Sequence, residues 1–182
     1  AIGTHRDGRR IQLNTSILQI ENEYYSSIRP KQTTGRCERP NTVLRQRGIQ
    51  YIEVRCMDID PWAPAGIAIE TSRFLDAFLL YCAVEESPLF PPPGFCQESQ
   101  DNFSLVAREG RRPGLQLRRE GRAIDLRDWA EEALDRIEPY ARLLDEHAGD
   151  GGHADALDRQ RAKARDPDDT PSARLLAALR DG

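Results

Sequence analysis

Two short segments alternate apolar and polar residues with a period of two: Ile17-Leu-Gln-Ile-Glu-Asn-Glu-Tyr24 and Tyr51-Ile-Glu-Val-Arg55. Successive side chains of a strand point to opposite faces, so this pattern suits a half-buried strand. The first segment turns Leu18 and Ile20 one way and Gln19, Glu21 and Glu23 the other. The second buries Ile52 and Val54 and presents Tyr51, Glu53 and Arg55 together. A polar outer face is common to all such sheets; the kind of polar residue is what sets this one apart. Carboxylates, an arginine and tyrosines are followed by a basic group, Ser27-Ile-Arg-Pro-Lys31. That mixture can hold a metal ion and a phosphate.

The rest of the chain divides around these segments into strands over about 1–61 and helices and loops over about 62–182. Asp7-Gly8 is a turn signal before a strand from about Ile11 to Tyr24. Pro30 is expected to end that strand, since it brings no amide to the ladder. Residues 32–47 read as a polar connection, and a second strand runs from about Ile49 to Asp58, broken by Asp60-Pro-Trp-Ala-Pro64. A helix from Ser72 to Val84, with Thr71 as N-cap, carries Phe74, Phe78 and Tyr81 on one side and should pack against the sheet. Glu86 to Gly94 is a proline-rich loop. Asp125 can cap a helix bearing Leu126, Trp129, Leu134, Ile137, Tyr140 and Leu144, which ends near Gly149. His153 to Arg165 reads as an exposed charged helix, and Thr170-Pro171 opens a last helix, Ser172 to Arg180.

Composition narrows the function classes. A chain of 182 residues with a net charge of -4 is not built as a general nucleic-acid binder. Cys37, Cys56, Cys82 and Cys96 form no CxxC pair and no metal spacing with the histidines. Cys56 and Cys82 lie in apolar runs and should pack as small hydrophobes; a Cys37–Cys96 pairing stays open. No apolar run approaches the ~20 residues of a membrane helix, and no signal peptide is visible, so a cytoplasmic protein is expected. The chain starts at Ala1 and holds one methionine, Met57; it reads as part of a longer product.

Glu53 and Arg55 are two residues apart, so a strand aims both at one face. The carboxylate can ligate Mg²⁺ and the guanidinium can grip a phosphate in bidentate fashion. Spacing alone favours an exposed ion pair worth about 0–1 kcal/mol, since charge pairs on sheets are common. Glu21 and Glu23 are carboxylates that Arg29 and Lys31 can neutralise, or the two cations can bind a phosphate. Gly110-Arg-Arg-Pro-Gly114 is a basic turn without a P-loop pattern, and Arg73 fits a solvated helix end. His5, His147 and His153 have no catalytic context.

A family resemblance adds to this reading. Leu13-Asn-Thr-Ser-Ile-Leu-Gln-Ile-Glu-Asn-Glu-Tyr-Tyr25 and Ile28-Arg-Pro-Lys31 resemble the C-terminal half of bacterial glutamate–cysteine ligase of the monomeric proteobacterial type. Gly48-Ile-Gln-Tyr-Ile-Glu-Val-Arg55, Asp58-Ile-Asp-Pro61, Arg73-Phe-Leu-Asp76, Glu109-Gly-Arg-Arg-Pro-Gly-Leu115 and Ser172-Ala-Arg-Leu-Leu176 follow in the same order. The resemblance implies an α+β fold, part of a glutamine-synthetase-like, largely antiparallel sheet backed by C-terminal helices. It implies ATP- and Mg²⁺- (or Mn²⁺-) dependent joining of the L-glutamate γ-carboxylate to the amine of L-cysteine, the first step of glutathione synthesis, by a monomer. It makes Glu53 a metal ligand, sets Arg55 against the transferred phosphate, puts Arg29 near the phosphates and Tyr25 in the cysteine pocket. Two other readings stand beside it: a structural module without chemistry, and a related carboxylate–amine ligase with another acceptor.

Overall fold

The computed structural model describes residues 3–18, 25–86 and 95–181. The chain forms two compact units, Ala1–Asp58 and Ile59–Gly182. Its described elements are helices and two-stranded antiparallel sheets, an α+β composition.

The first unit opens with a hairpin of β1 (His5–Arg6) and β2 (Arg9–Arg10). Asp7 and Gly8 both have positive φ, 49° and 74°, which is the two-residue turn whose twist matches the strands. No strand forms over residues 11–18. Local bonds take the backbone there instead: Arg10 donates to the carbonyls of Gln12 and Leu13, and the Ser16 amide donates to the Asn14 side chain. The remainder of the expected strand, residues 19–24 with Glu21 and Glu23, lies outside the described residues.

Pairing starts where the sequence predicts an end. β3 (Ile28–Lys31) runs antiparallel to β4 (Tyr51–Val54), with Ile28 opposite Val54, Arg29 opposite Glu53, Pro30 opposite Ile52 and Lys31 opposite Tyr51. The Arg55 amide donates to the Ser27 carbonyl at 2.7 Å, so bonded positions alternate as 27 and 29 and the Pro30 nitrogen faces away from β4. A proline is tolerated at such a position because no ladder bond is lost. The expected second strand shrinks to four residues, and Cys56, Met57 and Asp58 beyond it are exposed. Within the 32–47 connection stands α1 (Pro40–Arg47), with proline at its start, Arg45 and Arg47 in its last turn and Val43 buried beneath it. Ile52, expected inside, is 48% exposed, as is Ile28 on the same face; a two-stranded ribbon is too small to hide either face by itself.

The second unit is built on three helices: α2 (Ile69–Val84), α4 (Leu126–Ala148) and α5 (Gly152–Arg165). Ala77, Leu134, Ile137, Ala141 and Leu157 form its core, with Phe74, Phe78 and Tyr81 packed around them. The aromatic side of α2 therefore packs on helices and not on a sheet. α2 starts after Ala68, which gives no side-chain cap, so Thr71 lies inside the first turn. α5 is not an exposed helix: Ala156 and Leu157 are fully buried on a narrow apolar stripe that its many charges mask in the sequence. Asp125 caps α4 as expected, accepting from the Arg127 amide at 2.8 Å, and Gly149 ends it with φ 77°.

The remaining elements are α3 (Phe95–Glu109), a hairpin of β5 (Gln116–Arg119) and β6 (Arg122–Asp125), and α6 (Pro171–Asp181). Glu120 and Gly121 repeat the positive-φ turn of the first hairpin. Here the Glu98 carboxylate of α3 accepts from both turn amides at 2.8 Å. Thr170 caps α6 through a 3.4 Å bond from the Ala173 amide, as the sequence indicates. All four cysteines are free and exposed, Cys56 and Cys82 included: an apolar neighbourhood in sequence did not become burial. No described helix is long and apolar enough to cross a membrane.

Candidate functional site

Antiparallel pairing places directly opposite residues on the same face of the ribbon. One face of β3–β4 therefore carries Arg29 and Lys31 from one strand and Tyr51, Glu53 and Arg55 from the other. The other face carries Ile28, Pro30, Ile52 and Val54. The alternation of Tyr51–Arg55 is thus realised, with Lys31, Glu53 and Arg55 drawn within a few ångströms of one another. Arg55 Nη2 lies 2.9 Å from Glu53 Oε1 and 3.0 Å from Oε2. Lys31 Nζ is 3.5 Å from Glu53 Oε2. The Arg55 guanidinium sits 5.7 Å from the centre of the Tyr25 ring, within cation–π range. Arg29 stands across from Glu53 in register and has no ion-pair partner among the described residues.

All four residues singled out by the resemblance, Tyr25, Arg29, Glu53 and Arg55, meet on this one surface, and Lys31 joins them. Two cations, Arg55 and Lys31, hold one carboxylate, and Arg29 stands opposite it in register. The Arg55 guanidinium, with Lys31 behind it, holds the Glu53 carboxyl below the usual carboxylate range, against the opposing effect of partial burial. Glu53 is therefore ionised at neutral pH and half-buried. One half-buried carboxylate beside cations that can pair with phosphate has donor chemistry suited to Mg²⁺, which takes one or two protein carboxylates and fills its octahedron with water and phosphate oxygens. The excess of positive charge fits a polyanion.

Arg73, Arg112, Arg119 and the Asp145–His153 pair, elsewhere in the chain, already have partners. Asp145, Asp150 and His153 bring three potential ligand atoms within 4.8 Å of one another, a cluster that sequence spacing did not reveal. Asp145 accepts from the backbone amides of His153 and Ala154, each at 2.8 Å, and pairs with the His153 ring at 2.7 Å. Asp150 pairs with Arg73 at 2.5 Å. The cluster caps α5 and anchors α2 to it. Two clefts of about 460 and 500 Å³ open in the second unit; the first holds Arg73, and the second holds Arg119, paired with Glu132 at 2.6 Å. Arg112 of the basic turn pairs with Glu109, so the solvated reading of that turn holds.

The family model for glutamate–cysteine ligase matches residues 1–106. The chain is 66% identical over 181 residues to the glutamate–cysteine ligase of Bordetella petrii, covering all of this chain and 34% of that protein. Against the enzyme of that name from Pseudomonas fluorescens Pf0-1 it is 57% identical over 178 residues, covering 98% and 33%. In three dimensions it resembles the crystal structure of glutamate–cysteine ligase from Francisella tularensis in complex with AMP. That likeness has a TM-score of 0.83 at 38% identity and covers 98% of this chain and 35% of the other. The chain spans about a third of the length of the curated relatives it matches.

Proposed function

The chain belongs to the glutamate–cysteine ligase family, and from that premise we propose that its β3–β4 face forms part of the phosphoryl-transfer site of a ligase that joins L-glutamate to L-cysteine with ATP. The observation that carries the reading is the convergence of Lys31 and Arg55 on the single carboxylate of Glu53, with Arg29 opposite it in the ladder and the Tyr25 ring beside the arginine. The AMP complex of the Francisella tularensis relative supports a nucleotide at this fold. The ribbon is then one piece of a larger, largely antiparallel sheet of the glutamine-synthetase kind. The whole chain is a C-terminal portion of the catalytic domain of a monomeric cytoplasmic enzyme.

In the reaction, an oxygen of the glutamate γ-carboxylate attacks the terminal phosphorus of ATP and ADP leaves. The cysteine amine then attacks the acyl carbon, the C–N bond forms and inorganic phosphate departs with the electron pair. Charge grows on the phosphoryl oxygens throughout, so fixed cations supply most of the catalysis. Arg55 offers two parallel donors to the moving phosphoryl group, held in aim by Glu53 on one side and the Tyr25 ring on the other. Arg29 and Lys31 extend the positive surface along the phosphate chain. Glu53 would hold Mg²⁺ or Mn²⁺, which supplies a Lewis acid against the phosphate oxygens. The exposed Tyr25 ring is left to contact cysteine.

The test is ADP release by the protein at the full length of its coding sequence, with ATP, Mg²⁺ and glutamate, in the presence and absence of cysteine. Cysteine-dependent release that falls about 100-fold or more in Glu53→Gln is expected, since even residues behind a metal ligand are worth 10–100-fold. Equal release with other amino acids in place of cysteine would change the acceptor. Normal turnover in Glu53→Gln would remove the metal role.

A further inference from the structure

We infer that Lys31 is an internal counter-ion that makes access of a divalent cation to Glu53 conditional on a bound polyphosphate. The inference rests on the reading above that Glu53 is a metal ligand. Both oxygens of Glu53 are engaged in the absence of ligands: Arg55 Nη2 holds Oε1 at 2.9 Å and Oε2 at 3.0 Å, and Lys31 Nζ holds Oε2 at 3.5 Å. A free dication is therefore repelled by the two positive charges that hold Glu53 for the sake of one negative one. The half-buried side chains of Lys31 and Glu53, 33% and 35% exposed, limit how far salt screens that repulsion.

A polyphosphate reverses each element of this arrangement. Its oxygens pair with the ammonium and the guanidinium, which frees the carboxylate. They also offer the further oxygen ligands that a single carboxylate cannot supply. Metal and nucleotide then raise each other's affinity by the same factor, as linkage requires. Arg55 faces the reacting phosphate, so its removal disturbs chemistry and metal together. Lys31 touches Glu53 through one ion pair only; since its ammonium also pairs with phosphate, its counter-ion role is read in Mn²⁺ binding without the nucleotide analogue.

The experiment measures Mn²⁺ binding by electron paramagnetic resonance in the protein at the full length of its coding sequence, with and without a non-hydrolysable ATP analogue. The Glu53→Gln variant identifies the part of the signal that belongs to this site. In the unaltered protein the analogue should tighten that part about tenfold or more. In Lys31→Met, Mn²⁺ alone should bind several-fold tighter and the enhancement by the analogue should shrink; Lys31→Arg should restore both. Circular dichroism confirms that the variants are folded. If Lys31→Met leaves both quantities unchanged while a Glu53-dependent signal is present, the counter-ion role is overturned. If no part of the signal depends on Glu53, the metal-ligand reading falls, and the inference with it.

Discussion

Removing the carboxylate of Asp145 should loosen the second unit at the joint between α4 and α5. Asp145 lies in the last turn of α4, and its side chain, 11% exposed, accepts from the His153 and Ala154 amides that begin α5. Losing a helix cap costs about 0.5–2 kcal/mol, and leaving a part-buried amide without a partner adds about 1–3 kcal/mol. Because water can reach part of this site, the sum for Asp145→Ala should fall near 2–3 kcal/mol. Asp145→Asn keeps one acceptor but turns an NH₂ toward the second amide, and should cost about 1–2 kcal/mol. Urea unfolding followed by far-ultraviolet circular dichroism measures both. Burial alone would raise the Asp145 carboxyl, but the two amides and the His153 ring outweigh it and hold it below the usual value. A lowered carboxyl contributes stability above its unfolded value, near pH 3.9, and loses that contribution as pH falls through this value toward the folded one. The gap between the unaltered chain and Asp145→Asn should therefore be full at pH 6–7 and close progressively below about pH 4. A cost under about 0.5 kcal/mol for Asp145→Ala, or a gap that does not change with pH, would refute the capping argument.

Other outcomes follow from the same structure. Leu157→Ala, at a site 1% exposed among Ala77, Leu134 and Ile137, should cost about 2–5 kcal/mol in the same unfolding assay. Arg161, 13% exposed, gathers Glu131, Asp135 and Glu138; Arg161→Leu leaves those carboxylates facing one another and should cost about 1–3 kcal/mol at pH 7. Arg55→Lys keeps the charge but loses the guanidinium's capacity for a two-pronged grip on phosphate while Glu53 is held, so ADP release should fall by about tenfold or more while thermal stability stays within a degree or two.

What the sequence made legible was a local juxtaposition, because the period-two pattern at Tyr51–Arg55 needs only one strand to put Glu53 and Arg55 side by side. The ordered blocks from Leu13 to Leu176 then named the family. Helix ends with side-chain caps, at Asp125 and Thr170, were equally readable. What stayed hidden depends on contacts distant in sequence. The burial of Leu157 is decided by α2 and α4, not by the charged residues that flank it. Likewise α2 lies on helices because their apolar stripes are there to receive it. Pro30 misled because a proline forbids only the hydrogen bond it would have donated, and which side of a strand needs that bond is fixed by the partner's register. The Asp145–His153 pairing was invisible because it comes from a helix turning back on itself through Gly149 and Gly151, both with positive φ.

The same proline has a consequence for how the ribbon can join its neighbours. Along the outer margin of β3 the chain lacks a donor at Pro30, so a strand arriving there meets a broken row of partners. The outer margin of β4 keeps its amides at Ile52 and Val54 and offers an unbroken row. A strand added to this ribbon would therefore find a full row of partners only beside β4, an arrangement that would leave Arg29 and Lys31 at the rim and set Glu53 and Arg55 inside.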